Sequence, residues 1–172
     1  MFKLPVHKLV LAGLLSALVV ISTILIQIPS PTKGYIHLGD SIVYLSGILL
    51  GPLAGGLAAA VGSALADLIS GFGFYAPASF IIKGLDALLT AFVYICLTNK
   101  SNTFLGNIGA FSIAVLIGGA VMVGGYLLFE AFLYGLAPAL LNLPFNITQA
   151  VAGAILAAPL LTALKKLGHI LN

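Results

Sequence analysis

Charge is what this chain has least of. Its 172 residues hold seven lysines, no arginine and four acids, so that 6% are charged, 61% are hydrophobic and the net charge is +3. A soluble globular chain carries about 25% charge, and a domain of this size still exposes roughly a third of its unfolded surface, which is too much to hide such an apolar share. The solvent is therefore mostly lipid. Each crossing of a bilayer takes about 20 apolar residues, so six crossings leave about 50 residues for loops and no room for a soluble catalytic domain.

Other absences narrow the class further. A single cysteine, Cys96, excludes an intramolecular disulfide and reads as a small core residue inside its apolar run. The lysines are scattered rather than clustered, which excludes a nucleic-acid surface and leaves membrane orientation as their role. There is no G-x-x-x-x-G-K-[ST] phosphate loop, no H-E-x-x-H, no G-x-S-x-G and no His/Cys cluster. The three histidines, His7, His37 and His169, are far apart, so no metal or cofactor is expected and ATP hydrolysis is not this chain's own work. Nor do the halves repeat each other with paired broken helices, as in many secondary transporters.

What is there is a series of apolar runs, at 9–28, 42–50, 53–69, 79–97, 108–134 and 146–167. The first is too long for the apolar region of a signal peptide and reads as a retained helix. A Pro-Ser-Pro cluster at 29–31 opens a polar loop reaching Asp40, Gly51-Pro52 makes a tight turn, and 135–144, with two prolines, reads as another loop. The expected fold is an all-α membrane protein, 1–172 forming a single domain of six transmembrane helices. Lys3, Lys8, Lys100, Lys165 and Lys166 then lie on one side and Lys33 on the other, which puts both termini in the cytoplasm.

Small residues recur at four-residue spacing: Gly47, Gly51, Gly55 and Ala59; Ala58, Gly62 and Ala66; Ala120 and Gly124; Ala150, Ala154 and Ala158. In lipid such stripes let helix backbones approach closely. Those of the first helix, Ala12 with Ser16 and Gly13 with Ala17, are candidates for docking a partner.

Asp67, Lys83, Asp86 and Glu130 are ionisable residues within apolar runs, where each costs about 2.5 to 3.5 kcal/mol at the bilayer centre unless it faces a cavity or a partner. On the six-helix reading they converge on one outer level. Lys83 and Asp86, three apart, share a helix face and can pair, and Asn146 and Gln149 repeat that spacing. With Phe72, Phe74, Tyr75, Tyr126, Phe129 and Tyr134 nearby, the set describes an aromatic-lined pocket suited to a flat heterocycle, and His37 and Asp40 are candidates for its lid. Structural ties, such as Asp67 with Glu130, are the alternative role for these residues.

The run GYIHLGDSIVYLSGILLGP at 34–52, continuing through Gly55, Gly62, Ala66 and Asp67 to Tyr75, Pro77 and Ile82-Lys83-Gly84, resembles the substrate-binding S components of energy-coupling factor (ECF) transporters. Within that family it is similar to the branch grouped with riboflavin and hydroxymethylpyrimidine. The resemblance implies a binding subunit in a bacterial cell membrane that takes a small vitamin from outside. It also implies docking through small residues of the first helix onto a transmembrane coupling protein carrying two cytoplasmic ATPases. Its A-x-x-x-A-like positions fall on Gly13 and Ala17, or Ala12 and Ser16, neither a strict Ala pair. Lys83, Asp86, Glu130, Asn146 and Gln149 are expected to orient the ligand's polar groups, Tyr75 and Tyr126 to stack or hydrogen-bond, and Asp67 to serve the site or the scaffold. Hydroxymethylpyrimidine is the favoured ligand, with pyridoxine, riboflavin and pantothenate open, and an autonomous proton-coupled transporter is the rival class.

Overall fold

Proline and glycine set the points at which this chain turns back on itself. The computed structural model describes residues 6–30, 32, 34–99 and 104–171, and among these it forms α1 (Val6–Leu25), β1 (Gln27–Pro29), β2 (Tyr35–His37), α2 (Asp40–Leu50), α3 (Pro52–Ile69), α4 (Ala76–Thr98), α5 (Phe104–Tyr134) and α6 (Leu136–Leu171). Lys3, Lys33 and Lys100, on which the count of orienting lysines leans, lie outside the described residues.

Five of the helices are long and apolar enough to cross a membrane; α2, with 11 residues, is not. At 1.5 Å per residue it spans about 17 Å, against a hydrocarbon core of about 30 Å. Large apolar side chains such as Leu116, Leu128 and Phe132 cover the outside of the bundle, as expected where the solvent is acyl chain. Cys96 also faces outward rather than into the core, because it falls on the outer face of α4.

Two turns depend on glycine. Gly51, at φ 85° and ψ 173°, occupies a conformation open essentially to glycine alone, and Pro52 follows at the first position of α3, where a missing N–H costs nothing. Gly135, at φ 90°, reverses the chain between α5 and α6 by itself. Residues 136–144, expected as loop, therefore belong to α6. Pro138 falls in its first turn, where proline is tolerated, and the helix continues through Pro144 and Pro159.

The first helix also ends earlier than its apolar run suggests. Gln27–Pro29 pairs antiparallel with Tyr35–His37, in register Gln27 to His37 and Pro29 to Tyr35. Ile28 is thus strand and not part of a last helical turn, because it pairs with Ile36 across the hairpin.

Close packing of α2, α3 and α4 fixes the geometry of everything above it. A Cβ on Gly47 would sit 2.2 Å from the Ala87 carbonyl oxygen, and one on Gly55 2.2 Å from that of Ser46. The small-residue stripes around Gly47 and Gly55 are seams between helices. On the other side Gly153 of α6 abuts Asp40, where a Cβ would come within 2.6 Å of the aspartate's own. The first turn of α2 is thereby wedged between α4 and α6. The main apolar core lies below it, where Tyr44, Tyr94, Phe111, Val115 and Leu161 pack together, and a smaller cluster of Leu15, Leu50, Ala54 and Ala58 joins α1 to α2 and α3.

Candidate functional site

The C-terminal ends of α1, α3 and α5 and the N-terminal ends of α2, α4 and α6 meet at one end of the bundle, with the hairpin β1–β2 laid across them. All four acidic residues of the chain are gathered toward this end, and all are buried.

Two of the buried charges form an ion pair. The Lys83 ammonium donates to Asp40 Oδ1, both side chains being fully buried. This corrects the expected pairing of Lys83 with Asp86. The two share α4, but the Gly47 seam brings α2 close enough for Asp40 to take the ammonium. The Asp86 carboxyl instead lies against α5, where a Cβ on Gly118 would fall 2.4 Å from its Oδ1. Its hydrogen bond is from Thr90 Oγ1 at 3.3 Å.

Above the ion pair, Gln149 bridges to the lid. Its Nε2 donates to Asp40 Oδ2 at 3.1 Å, and its Oε1 accepts the backbone N–H of His37 at 3.0 Å. The His37 imidazole is turned back on its own loop, with Nδ1 accepting the Gly39 N–H at 3.0 Å. Burial pushes this imidazole down to about 4, the Lys83 charge adding to the effect and the Asp40 charge opposing it. His37 is therefore neutral, with its proton on Nε2.

Two carboxyls hold the rest of the hairpin. Asp67 Oδ1 accepts Tyr35 OH at 2.7 Å. Glu130 Oε1 accepts Asn142 Nδ2 at 2.7 Å and Thr32 Oγ1 at 2.9 Å, with Tyr75 OH at 3.4 Å. Tyr75 OH also donates to the Thr32 carbonyl at 3.0 Å. Asp67 and Glu130, proposed as mutual ties, do not bond to each other; each binds a hairpin residue instead. Across the cleft Ser79 and Tyr126 share a hydrogen bond of 2.7 Å, and Lys83 lies 5.4 Å from the Tyr126 ring centre.

Between these groups is a narrow cavity of about 370 Å³, counting its open mouth. Of the residues singled out in the sequence, His37, Asp67, Tyr75, Tyr126, Glu130, Asn146 and Gln149 line it. Asp40 and Lys83 are not part of its lining, Asp40 holding Gln149 and Lys83 holding Asp40, and Asp86 does not reach the cavity. The wall is more polar than expected, its aromatics being Tyr35, Tyr75 and Tyr126. Phe72 and Phe129 stand behind, their rings 4.7 Å from Tyr35 and 5.4 Å from Tyr75.

Sequence reasoning missed Ser30, Gly34, Tyr35, Ser79 and Asn142, which also line the cavity. Asn142 had a usable signal. With Asn146 and Gln149 it forms an i, i+4, i+7 polar face on a largely apolar helix, hidden by reading 135–144 as a loop. Tyr35 had none, since a hairpin folded over the site follows from tertiary contacts.

Four buried polar atoms of cavity-lining residues have no hydrogen-bond partner: Asp67 Oδ2, Glu130 Oε2, Asn142 Oδ1 and Asn146 Nδ2. Buried polar groups are rarely left so, and all four belong to residues that line the cavity. Among the described residues no cationic side chain lines the cavity. The docking candidates divide between two faces of α1. Ala12 packs against the Leu15 cluster and Ser16 lies over Gly62, whose Cβ would fall 2.6 Å from the Ser16 carbonyl oxygen; Gly13 and Ala17 face outward.

The sequence profile of the ECF-type riboflavin transporter S component family matches residues 3–166. A Pyrococcus woesei protein, described as an uncharacterized protein in gap 3'region, is 38% identical over 156 residues, which cover 90% of this chain and 99% of that one. The fold is similar to a solved structure reported under "Structure and mechanism of the S component of a bacterial ECF transporter", with a TM-score of 0.68 at 19% identity, over 94% of this chain and 96% of the other.

Proposed function

The chain belongs to the ECF-type riboflavin transporter S component family, and from that premise we propose that it is the membrane-embedded binding subunit of an importer for riboflavin. It is a multi-pass membrane protein whose partners, a transmembrane coupling protein and two ATPases, supply the energy its own sequence lacks. Six crossings with both termini inside the cell complete this reading, with the short α2 as the second of them and the hairpin as its outer lid.

The observation that carries the ligand reading is the set of unpartnered atoms. Three of the four are oxygens, on Asp67, Glu130 and Asn142, so the matching ligand presents several N–H or O–H donors. A polyhydroxylated side chain beside a ring bearing an N–H meets that demand, and three tyrosines offer faces for the ring. The family's name supports riboflavin over hydroxymethylpyrimidine, the ligand favoured from sequence alone. The space between the walls is too narrow for a tricyclic ring, so entry requires the hairpin to lift. Its fastenings to Asp67, Glu130 and Gln149 join the lid to the ligand-facing residues themselves.

The test is titration of the purified protein with riboflavin, followed by quenching of flavin fluorescence, beside calorimetry with hydroxymethylpyrimidine, pyridoxine and pantothenate. Saturable one-to-one binding of riboflavin alone is expected. Tight binding of one of the others, with riboflavin excluded, overturns the ligand; no binding of any overturns the function.

A further inference from the structure

The stripes Ala120 with Gly124 and Ala150 with Ala154 and Ala158 do not all serve as seams between helices. They help to line two openings between α5 and α6, of about 1130 and 870 Å³ counting their mouths, which share Phe111 and Ser112 and so form one groove. It runs from Ile147 to Lys166 along α6, about 29 Å at 1.5 Å per residue, on a lipid-facing side of the bundle where Leu116 and Ile155 are 72% and 66% exposed.

One end of this groove is charged. Lys165 and Lys166 stand at its mouth, where the candidate span of α6 ends. The chain's four acids are all gathered toward the opposite end of the bundle, so neither ammonium has an acidic side chain to meet. Lys165 is held in place there, donating to Tyr94 OH with its Nζ 5.0 Å from that ring's centre. Asn107 and Thr162 add polar groups beside it.

We infer that this groove binds one anionic glycerophospholipid, its phosphate on Lys165 and Lys166 and an acyl chain along α5 and α6 toward Ala154. The charge at the mouth selects the occupant. A zwitterionic lipid would bring its own cation to the two lysines, and a free phosphate would leave the apolar groove unfilled. Basic pockets at the ends of transmembrane helices are suited to acidic head groups, and the 11 residues from Ala154 to Lys165 span about 16 Å, close to the depth of one leaflet, half of about 30 Å.

The experiment is native mass spectrometry of the full chain released from nanodiscs of equal phosphatidylglycerol and phosphatidylcholine. Two variants accompany it: Lys165→Gln with Lys166→Gln, and Ala120→Leu with Ala154→Leu. Helicity by circular dichroism establishes that each is folded. The wild type is expected to retain one phosphatidylglycerol, preferred about tenfold over phosphatidylcholine. The lysine variant should lose that preference and the leucine variant the retained lipid. Equal retention of both lipids, or unchanged retention in either folded variant, overturns the inference. So does a copurifying protein that occupies the wild type in place of lipid and is lost from the leucine variant, which makes the groove a protein interface. None of these outcomes depends on which vitamin the chain binds.

Discussion

Lys83 is bonded to Asp40, 43 residues away in sequence, and not to Asp86 one helical turn along its own helix. Both partners are fully buried, and the pair supports the site indirectly, because Asp40 also receives Gln149, which holds the hairpin through His37. The side chains of Lys83, Asp40 and Gln149 and the backbone of His37 form a column from the ion pair to the lid.

Removing one member of this column leaves a charge buried without its partner, which typically costs about 3 to 5 kcal/mol. Lys83→Met is therefore expected to lower the unfolding temperature in detergent markedly, and Lys83→Met with Asp40→Leu to recover much of that loss. Ligand binding should stay weak in the double variant, since Gln149 is no longer held. Additive losses of stability in a double-mutant cycle would show that the two groups do not act as a pair.

Glu130→Gln keeps the shape of the side chain and removes its charge. A hydrogen bond to a charged group is worth about 1.5 to 3 kcal/mol, so affinity for the ligand is expected to fall roughly 10- to 100-fold while the protein remains in the membrane. Equilibrium binding measures this directly; unchanged affinity in both Glu130→Gln and Asp67→Asn removes the two carboxyls from the ligand site.

His37 gives the closed hairpin a dependence on pH. With the hairpin folded its imidazole is lowered to about 4, while a solvated imidazole titrates near 6.5. Between those values the opened or unfolded state binds the extra proton, so closure strengthens as pH rises. The contribution is fully present above about 7 and is lost progressively as pH falls from 6.5 toward 4. Hydrogen exchange of the hairpin amides should show this loss, and His37→Asn, which keeps an acceptor for the Gly39 N–H, should abolish the part of it that falls between pH 6.5 and 5.

The two stripes of α1 respond differently to bulk. Gly13 has no atom within 4 Å of the place a Cβ would take, so Gly13→Trp is expected to leave folding and ligand binding intact and to abolish uptake by the assembled transporter. Ser16 is half-buried on the stretch of α1 whose backbone lies against Gly62 of α3, so Ser16→Trp should lower thermal stability as well. Normal uptake by Gly13→Trp would rule out the outer face of α1 as the docking surface.

The residues around Pro144 show where sequence reasoning stops. Two prolines in 135–144 read as loop because proline removes an intrahelical hydrogen bond, yet Pro138 falls in a first turn and α6 packs well enough against α5 and α2 to carry Pro144. Asn142 enters the site as a result. The hairpin was illegible for a related reason: its three-residue strands carry almost no periodic signal, and they persist because Tyr35, Thr32 and His37 each find a partner on a different helix.

The sequence by itself determined that this chain lives in lipid, where its long helices lie, and that expensive polar residues gather at one end. These follow from composition and from the cost of a charge among acyl chains, which act on each segment separately. The tertiary structure decided which polar group meets which: Asp40 rather than Asp86 for Lys83, Tyr35 for Asp67, Asn142 for Glu130. Those pairings depend on how closely α2, α4 and α6 approach at Gly47 and Gly153, a distance between segments that no single segment encodes.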